Sequence, residues 1–221
     1  MKKMLVIIVI LAMILVSMII YKNIAINKNK SVNVQEVEQI EEYISKIYMW
    51  KEITKEALPT FENINNANEL WVWEVIKKNL ETYETTYEEI QQKGKELFGE
   101  KFERQIPKEG NDSFYYDKES NKYLATEIVL DEEEDSFLLT DIEKEGEKYK
   151  VKIIEYIEDY SEENKVIIRN LKEEEIGRVS TSDSETKIKE IVKNNKERFS
   201  QKNIEIKKEK DNLVIEKVNK E

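Results

Sequence analysis

Acid–base chemistry at neutral pH needs a proton acceptor set against an apolar surface, and Asp141 is the carboxylate that this chain places closest to that condition. In the run Leu138-Leu139-Thr140-Asp141-Ile142 it shares the two-residue parity of Leu139, so a strand there would turn both to one face. A carboxyl buried on that face would have a raised pKa and would serve as a base, with Tyr149 or Tyr156 as proton donor. The competing reading ends the strand at Asp141 and leaves it in water; with 11 tyrosines in the chain, a phenol near any acid is ordinary. Histidine and cysteine are both absent, which removes the usual general base, the thiol nucleophile and any disulfide. No base is marked out to activate a serine, and no glycine-rich phosphate loop is present. No catalytic residue and no cofactor is therefore assigned.

Two acidic runs could hold a hard cation. Asp131-Glu132-Glu133-Glu134-Asp135 supplies oxygen ligands of the kind calcium takes, about six to eight at a time. Its spacing, without a glycine, does not match a calcium loop, and five adjacent acids between apolar runs read as a solvated hairpin loop. Glu173-Glu174-Glu175 reads the same way. No metal is expected at either.

The aromatic concentration is Trp50, Trp71 and Trp73, with Tyr48 and Met49. Two residues apart on a helix, Trp71 and Trp73 point about 200° away from each other. Either one of them is exposed and marks a partner interface, or both bury against a sheet and the first helix.

Those residues must be positioned by the elements around them. Asn33 is a plausible N-cap with Glu36 three residues on, and Val37, Ile40, Ile44, Ile47 and Trp50 mark one helical face that runs toward Pro59. That stripe is about two heptads long; it packs on its own domain or pairs with a second copy, so a homo-oligomer is open. Phe61 to Ala67 reads as a turn. Val72, Val75, Ile76, Leu80 and Tyr83 trace a second helix; Thr86 with Glu89 opens a third, which carries Ile90, Leu97 and Phe98 and closes at Gly99. The period then drops to two. Phe114 to Tyr116, Tyr123 to Leu130, Phe137 to Ile142, Tyr149 to Ile157 and Val166 to Leu171 read as an antiparallel meander. Alternation slips between Ile153 and Ile154, the mark of a bulge or of a strand buried on both faces. Ser182 and Glu185 cap a late helix with Ile188, Ile191, Val192 and Phe199, and a closing hairpin sets Ile204 and Ile206 opposite Leu213 and Ile215. The expected plan is α+β: helices over 33–100, mainly strands over 113–172, a helix over 183–199 and a hairpin over 202–218.

Ahead of this domain, Met4 to Tyr21 is uncharged and 18 residues long. As a helix it spans roughly 27 Å, close to the ~30 Å hydrocarbon core of a bilayer. Lys2 and Lys3 precede it, but the apolar run is too long and its exit too poor in small residues for a cleaved signal. Residues 1–21 therefore read as a retained single-pass transmembrane signal anchor, 22–32 as a tether and 33–221 as a domain outside the cytoplasm, at the cell membrane. Residues 22–221 carry 34 basic and 47 acidic side chains, a formal net charge of −13. Nucleic acid and anionic lipid surfaces are poor partners for such a surface.

The segments KELFGEKFERQIPKEG, GEKYKVKIIEYIEDY and IKEIVKNNKERFSQKNIEIKKEKDNLVIEKV, together with this order of elements, resemble a group of uncharacterised membrane-anchored proteins of Gram-positive bacteria. The likeness runs from Leu70 to Val218 and implies an NTF2-like, cystatin-like extracytoplasmic domain with a curved antiparallel sheet. The function expected is non-enzymatic: a binding or scaffold domain with a protein partner in the cell envelope. The alternative is a small-molecule carrier or enzyme that uses the concave sheet pocket, with Asp141 in it.

Overall fold

The computed structural model describes residues 32–126, 133–182 and 185–221, so the apolar run Met4 to Tyr21 and most of the tether lie outside the described residues. Among the described residues no helix is long and apolar enough to cross a membrane. The fold is α+β. Helix α1 (Val34–Ile47) opens with the capping box expected of Asn33 and Glu36, each bonding the other's backbone N–H. Val32, assigned to the tether from sequence, is already part of the main core.

α1 stops at Ile47 and not at Pro59, because Tyr48 is extended and turns its hydroxyl toward the sheet. The carbonyls of Ser45 and Tyr48, left open by the helix end, accept from Lys78 Nζ. A single turn, α2 (Lys51–Thr54), follows and ends in a left-handed Lys55. Helix α3 (Glu69–Lys78) is capped by Asn68, and α4 (Tyr87–Phe98) by a second capping box, Thr86 with Glu89, before closing at Gly99 with φ +89°.

The strands form two antiparallel sheets where one meander was expected. β1 (Glu84–Thr85), β2 (Phe114–Asp117) and β3 (Lys122–Ala125) make a small sheet in the order β1-β3-β2. The large sheet holds β4 (Glu133–Glu145), β5 (Lys148–Asp159), β6 (Lys165–Arg169), β7 (Glu175–Ser180), β8 (Ser200–Glu209) and β9 (Asn212–Lys220). β4 pairs with β5 along nearly its whole length, so β8 and β6 share the other edge of β5, β8 over Lys148–Glu155 and β6 over Ile157–Asp159.

The two faces of β5 explain the slip in its alternation. Tyr149, Val151 and Ile153 face the main core under α1, α3 and α4; Ile154 and Tyr156 face a second cluster under α5 (Glu185–Asn194), with Leu138, Val166, Ile168 and Val192. The strand is straight and buried on both sides there; the bulge lies on its partner β4. β7 has no counterpart in the sequence reading because Gly177 interrupts its alternation. A Cβ at Gly177 would lie 2.9 Å from Ile191, so the missing side chain is what lets α5 lie down on the sheet.

Gly94 in α4 does the same for Phe102, whose ring would sit 2.3 Å from an added Cβ. That ring is held edge-on to Trp73 and against Phe98. Alanine in a helix gains about 1 kcal/mol over glycine, but overpacking a filled core costs about 1–3 kcal/mol. Gly94→Ala is accordingly expected to lower stability by about 1 kcal/mol, read as a lower urea midpoint; a higher midpoint would show that Phe102 has room to move.

Candidate functional site

The bulge on β4 decides where Asp141 goes. Leu139 pairs with Ile153 and Asp141 with Lys152, so Thr140 is the extra residue and parity reverses after it. Ile142, not Asp141, continues the core face of Leu139. Asp141 joins the opposite face, which near the hairpin tips is a ladder of cross-strand charges: Glu143, Lys150, Glu205 and Lys217 form one row across four strands. Asp141 does not line the groove described below.

Trp71 and Trp73 are 0% and 2% exposed. Their 200° separation is accommodated because α3 is buried all round from Trp71 to Lys77. Trp71 packs between Phe61 and Phe98, with its indole N–H shared by the carbonyls of Ile47 and Ala57. Trp73 meets Phe102, its N–H donated to Glu69. Neither presents a surface to a partner. Trp50 is half-buried beneath the ammonium of Lys78, 5.2 Å from its ring centroid.

The acidic run is also placed differently. Glu133, Glu134 and Asp135 belong to β4, and Asp135 turns inward; Asp131 and Glu132 lie outside the described residues. Asp135 heads an interior polar cluster that the sequence reading missed. Glu155 is fully buried beside Lys202, with 3.0 Å between the charges. The same carboxylate accepts from Ser200 Oγ at 3.0 Å and from Tyr48 at 3.4 Å, and Lys202 donates to the carbonyl of Leu58. Burial and the neighbouring Glu155 push the Tyr48 phenol far up, so it stays a donor. Ser200 Oγ is bonded to Glu155 and Lys202 to Glu155 and Leu58 O, so serine and lysine do not form a nucleophile–base pair, and the cluster binds the α1–α3 connection to the sheet. Parity was the signal available in the sequence: Glu155 shares it with Tyr149, Val151 and Ile153, and Lys202 with Ile204 and Ile206.

A second buried pair, Glu74 with Lys77 at 2.7 Å, sits on α3, and Lys77 also donates to Thr126. Among the described residues no group of acids is arranged to hold a metal ion.

A half-open surface groove of about 180 Å³ lies between α1, the end of α4 and the β8–β9 hairpin. Ile40, Tyr43, Leu97 and Tyr149, all nearly buried, underlie it, and its exposed lining is more polar than apolar. Tyr43 is fixed there, since its hydroxyl donates to Leu97 O at 2.8 Å and accepts from Ile215 N at 2.7 Å. Four carboxylates, Glu36, Glu42, Glu96 and Asp211, stand around it against Lys46 and Lys208. Burial pushes the Glu36 carboxyl up, but hydrogen bonds from Lys144, the Asn33 backbone and Tyr149 outweigh it and hold the group ionised below the usual range. Sequence patterns could not assemble this groove, because its walls come from segments far apart in the chain.

No protein-family model matches the chain, and neither a curated protein nor a solved structure resembles it significantly.

Proposed function

We propose that this is a non-enzymatic binding domain, held outside the cytoplasm by the apolar segment Met4 to Tyr21, that grips a protein partner of the cell envelope through the α1 groove. The observation that carries the reading is the coincidence of the groove with the end at which the chain enters the fold: Glu36, in the first turn of α1, stands in the groove wall. With the core beginning at Val32, a ten-residue tether reaches at most about 35 Å from the bilayer surface. Local concentration then makes modest contacts effective.

The groove's size and charge narrow the occupant. Small-molecule pockets run to about 300–1,000 Å³, so 180 Å³ suits one or two inserted side chains better than a whole ligand. A rim with four carboxylates against two lysines suits an inserted lysine or arginine, whose charge it would meet.

The test is photocrosslinking in the native cell from a reactive residue at the exposed groove position Gln39. One partner protein is expected, with its yield falling roughly tenfold in the double variant Glu96→Lys, Asp211→Lys. Both positions are exposed, so the fold should keep its stability within about 0.5 kcal/mol. An undiminished crosslink would remove the groove from the account, and a domain protected from protease in intact spheroplasts would overturn the outward placement.

A further inference from the structure

Two carboxylates share the inner face of the β4–β5 pair at the end far from the groove. Asp135 is registered with Ile157 and Phe137 with Glu155, so Asp135 and Glu155 are diagonal neighbours on one face. The buried cation there, Lys202, is committed to Glu155 and to Leu58 O. Asp135 is left with the backbone N–H of Lys51, 2.6 Å from Oδ2, while its Oδ1 is enclosed and has no hydrogen-bond partner. The ammonium of Lys51 lies 3.5 Å from Glu173 on the loop after β6, and α2 adds Glu52, which repels. Tyr48, at the end of α1, spends its hydroxyl on Ser136 O and Glu155. The site is one positive charge short.

We propose that Asp135 is a latch on the 50–56 turn of the connection: when the carboxyl is neutral the turn lies closed on β4, and when it is ionised the turn opens to let water reach the stranded oxygen. Met49, Ala57 and Leu58 are buried in the main core and pin the ends of the connection, so the part suited to local opening is the stretch between them, a single helical turn followed by a left-handed Lys55, where Thr54 alone is buried. Burial, and then the charges of Glu52 and Glu155, outweigh the Lys51 contact and push the Asp135 carboxyl up to about 6 from 3.8. With the folded value raised, the folded state holds its proton where the unfolded chain has lost it. The contribution to stability is therefore present below about pH 4 and is lost as pH rises through about 6. A domain outside the cytoplasm meets the pH of its medium, and acidification tightens this one. The latch rests on interior geometry and stands or falls independently of the groove.

Hydrogen exchange on the full chain in detergent micelles, corrected for intrinsic rates and compared at about pH 5 and about pH 7.5, tests it. Amides 51–56 should open roughly tenfold more at the higher pH, with α1 and β5 unchanged. Asp135→Asn, which stays neutral, should hold them closed at both. Glu52→Gln, an exposed change that leaves packing alone, removes a repelling charge and should lower the opening midpoint toward the ordinary carboxylate range; an unchanged or raised midpoint would overturn the proposal. Equal exchange of 51–56 at both pH values in the native chain, or a pH dependence that survives in Asp135→Asn, would also overturn it.

Discussion

Replacing Lys202 by methionine is expected to cost the domain about 3–5 kcal/mol, against a total of about 5–15 kcal/mol for a domain of ordinary stability. The cost does not come from the net worth of the Glu155–Lys202 attraction, which desolvation of two ions largely offsets. It comes from what is left behind, a carboxylate that is 0% exposed with only Ser200 and Tyr48 to donate to it. The discriminating measurement is urea unfolding of Lys202→Met beside the double variant Glu155→Gln, Lys202→Met. The double variant should recover most of the loss, because a neutral amide needs no counter-ion. A double variant as unstable as the single one would locate the loss in the bond to Leu58 O and in packing.

Trp71→Ala should be equally damaging, by about 3–5 kcal/mol, through the cavity it leaves between Phe61 and Phe98. Two buried carbonyls, Ile47 and Ala57, would also lose a shared donor. The thermal unfolding midpoint is the readout. A loss of partner binding in this variant would report unfolding, whereas the exposed pair Glu96 and Asp211 offers a clean reading of the surface. A Trp71→Ala variant with a native midpoint would contradict the interior position of that ring.

Local signals in the chain were strong wherever one residue sets one backbone event. Both capping boxes, the Gly99 terminus and the presence of the closing hairpin follow from residue type and spacing alone; in its register Ile206 meets Ile215 as expected, but the irregularity after Glu205 sets Ile204 against Val218, and Leu213 faces Lys208. What escaped the sequence was set by distant contact. The early end of α1 at the extended Tyr48 is completed from a distance, since Lys78, the last residue of α3, bonds the carbonyls of Ser45 and Tyr48. Asp141 changes face because of one extra residue on β4, which no alternation pattern can register in advance. β7 was hidden by a glycine that exists for the sake of Ile191. The groove needed the hairpin tip of β8–β9 folded back beside α1 before any of its residues became neighbours. Only the inward parity of Glu155 and Lys202 stood in plain view.

α1 lies along the β4–β5 pair and is fastened at both ends, by Glu36 to Lys144 and Tyr149 and by Tyr48 to Ser136 and Glu155. The chain thus comes in at the hairpin tips, while β9 carries its other end beside Lys202, about 26 Å along the strand direction. A tension applied between a bilayer anchor and the far end of the domain would run parallel to the strands. It would strain the β8–β9 ladder in shear, all its hydrogen bonds sharing the force at once, and not peel them apart in sequence. Under the anchoring proposed above, the same fastening that closes the core would let the domain act as a stiff strut and hold a bound partner at a fixed height.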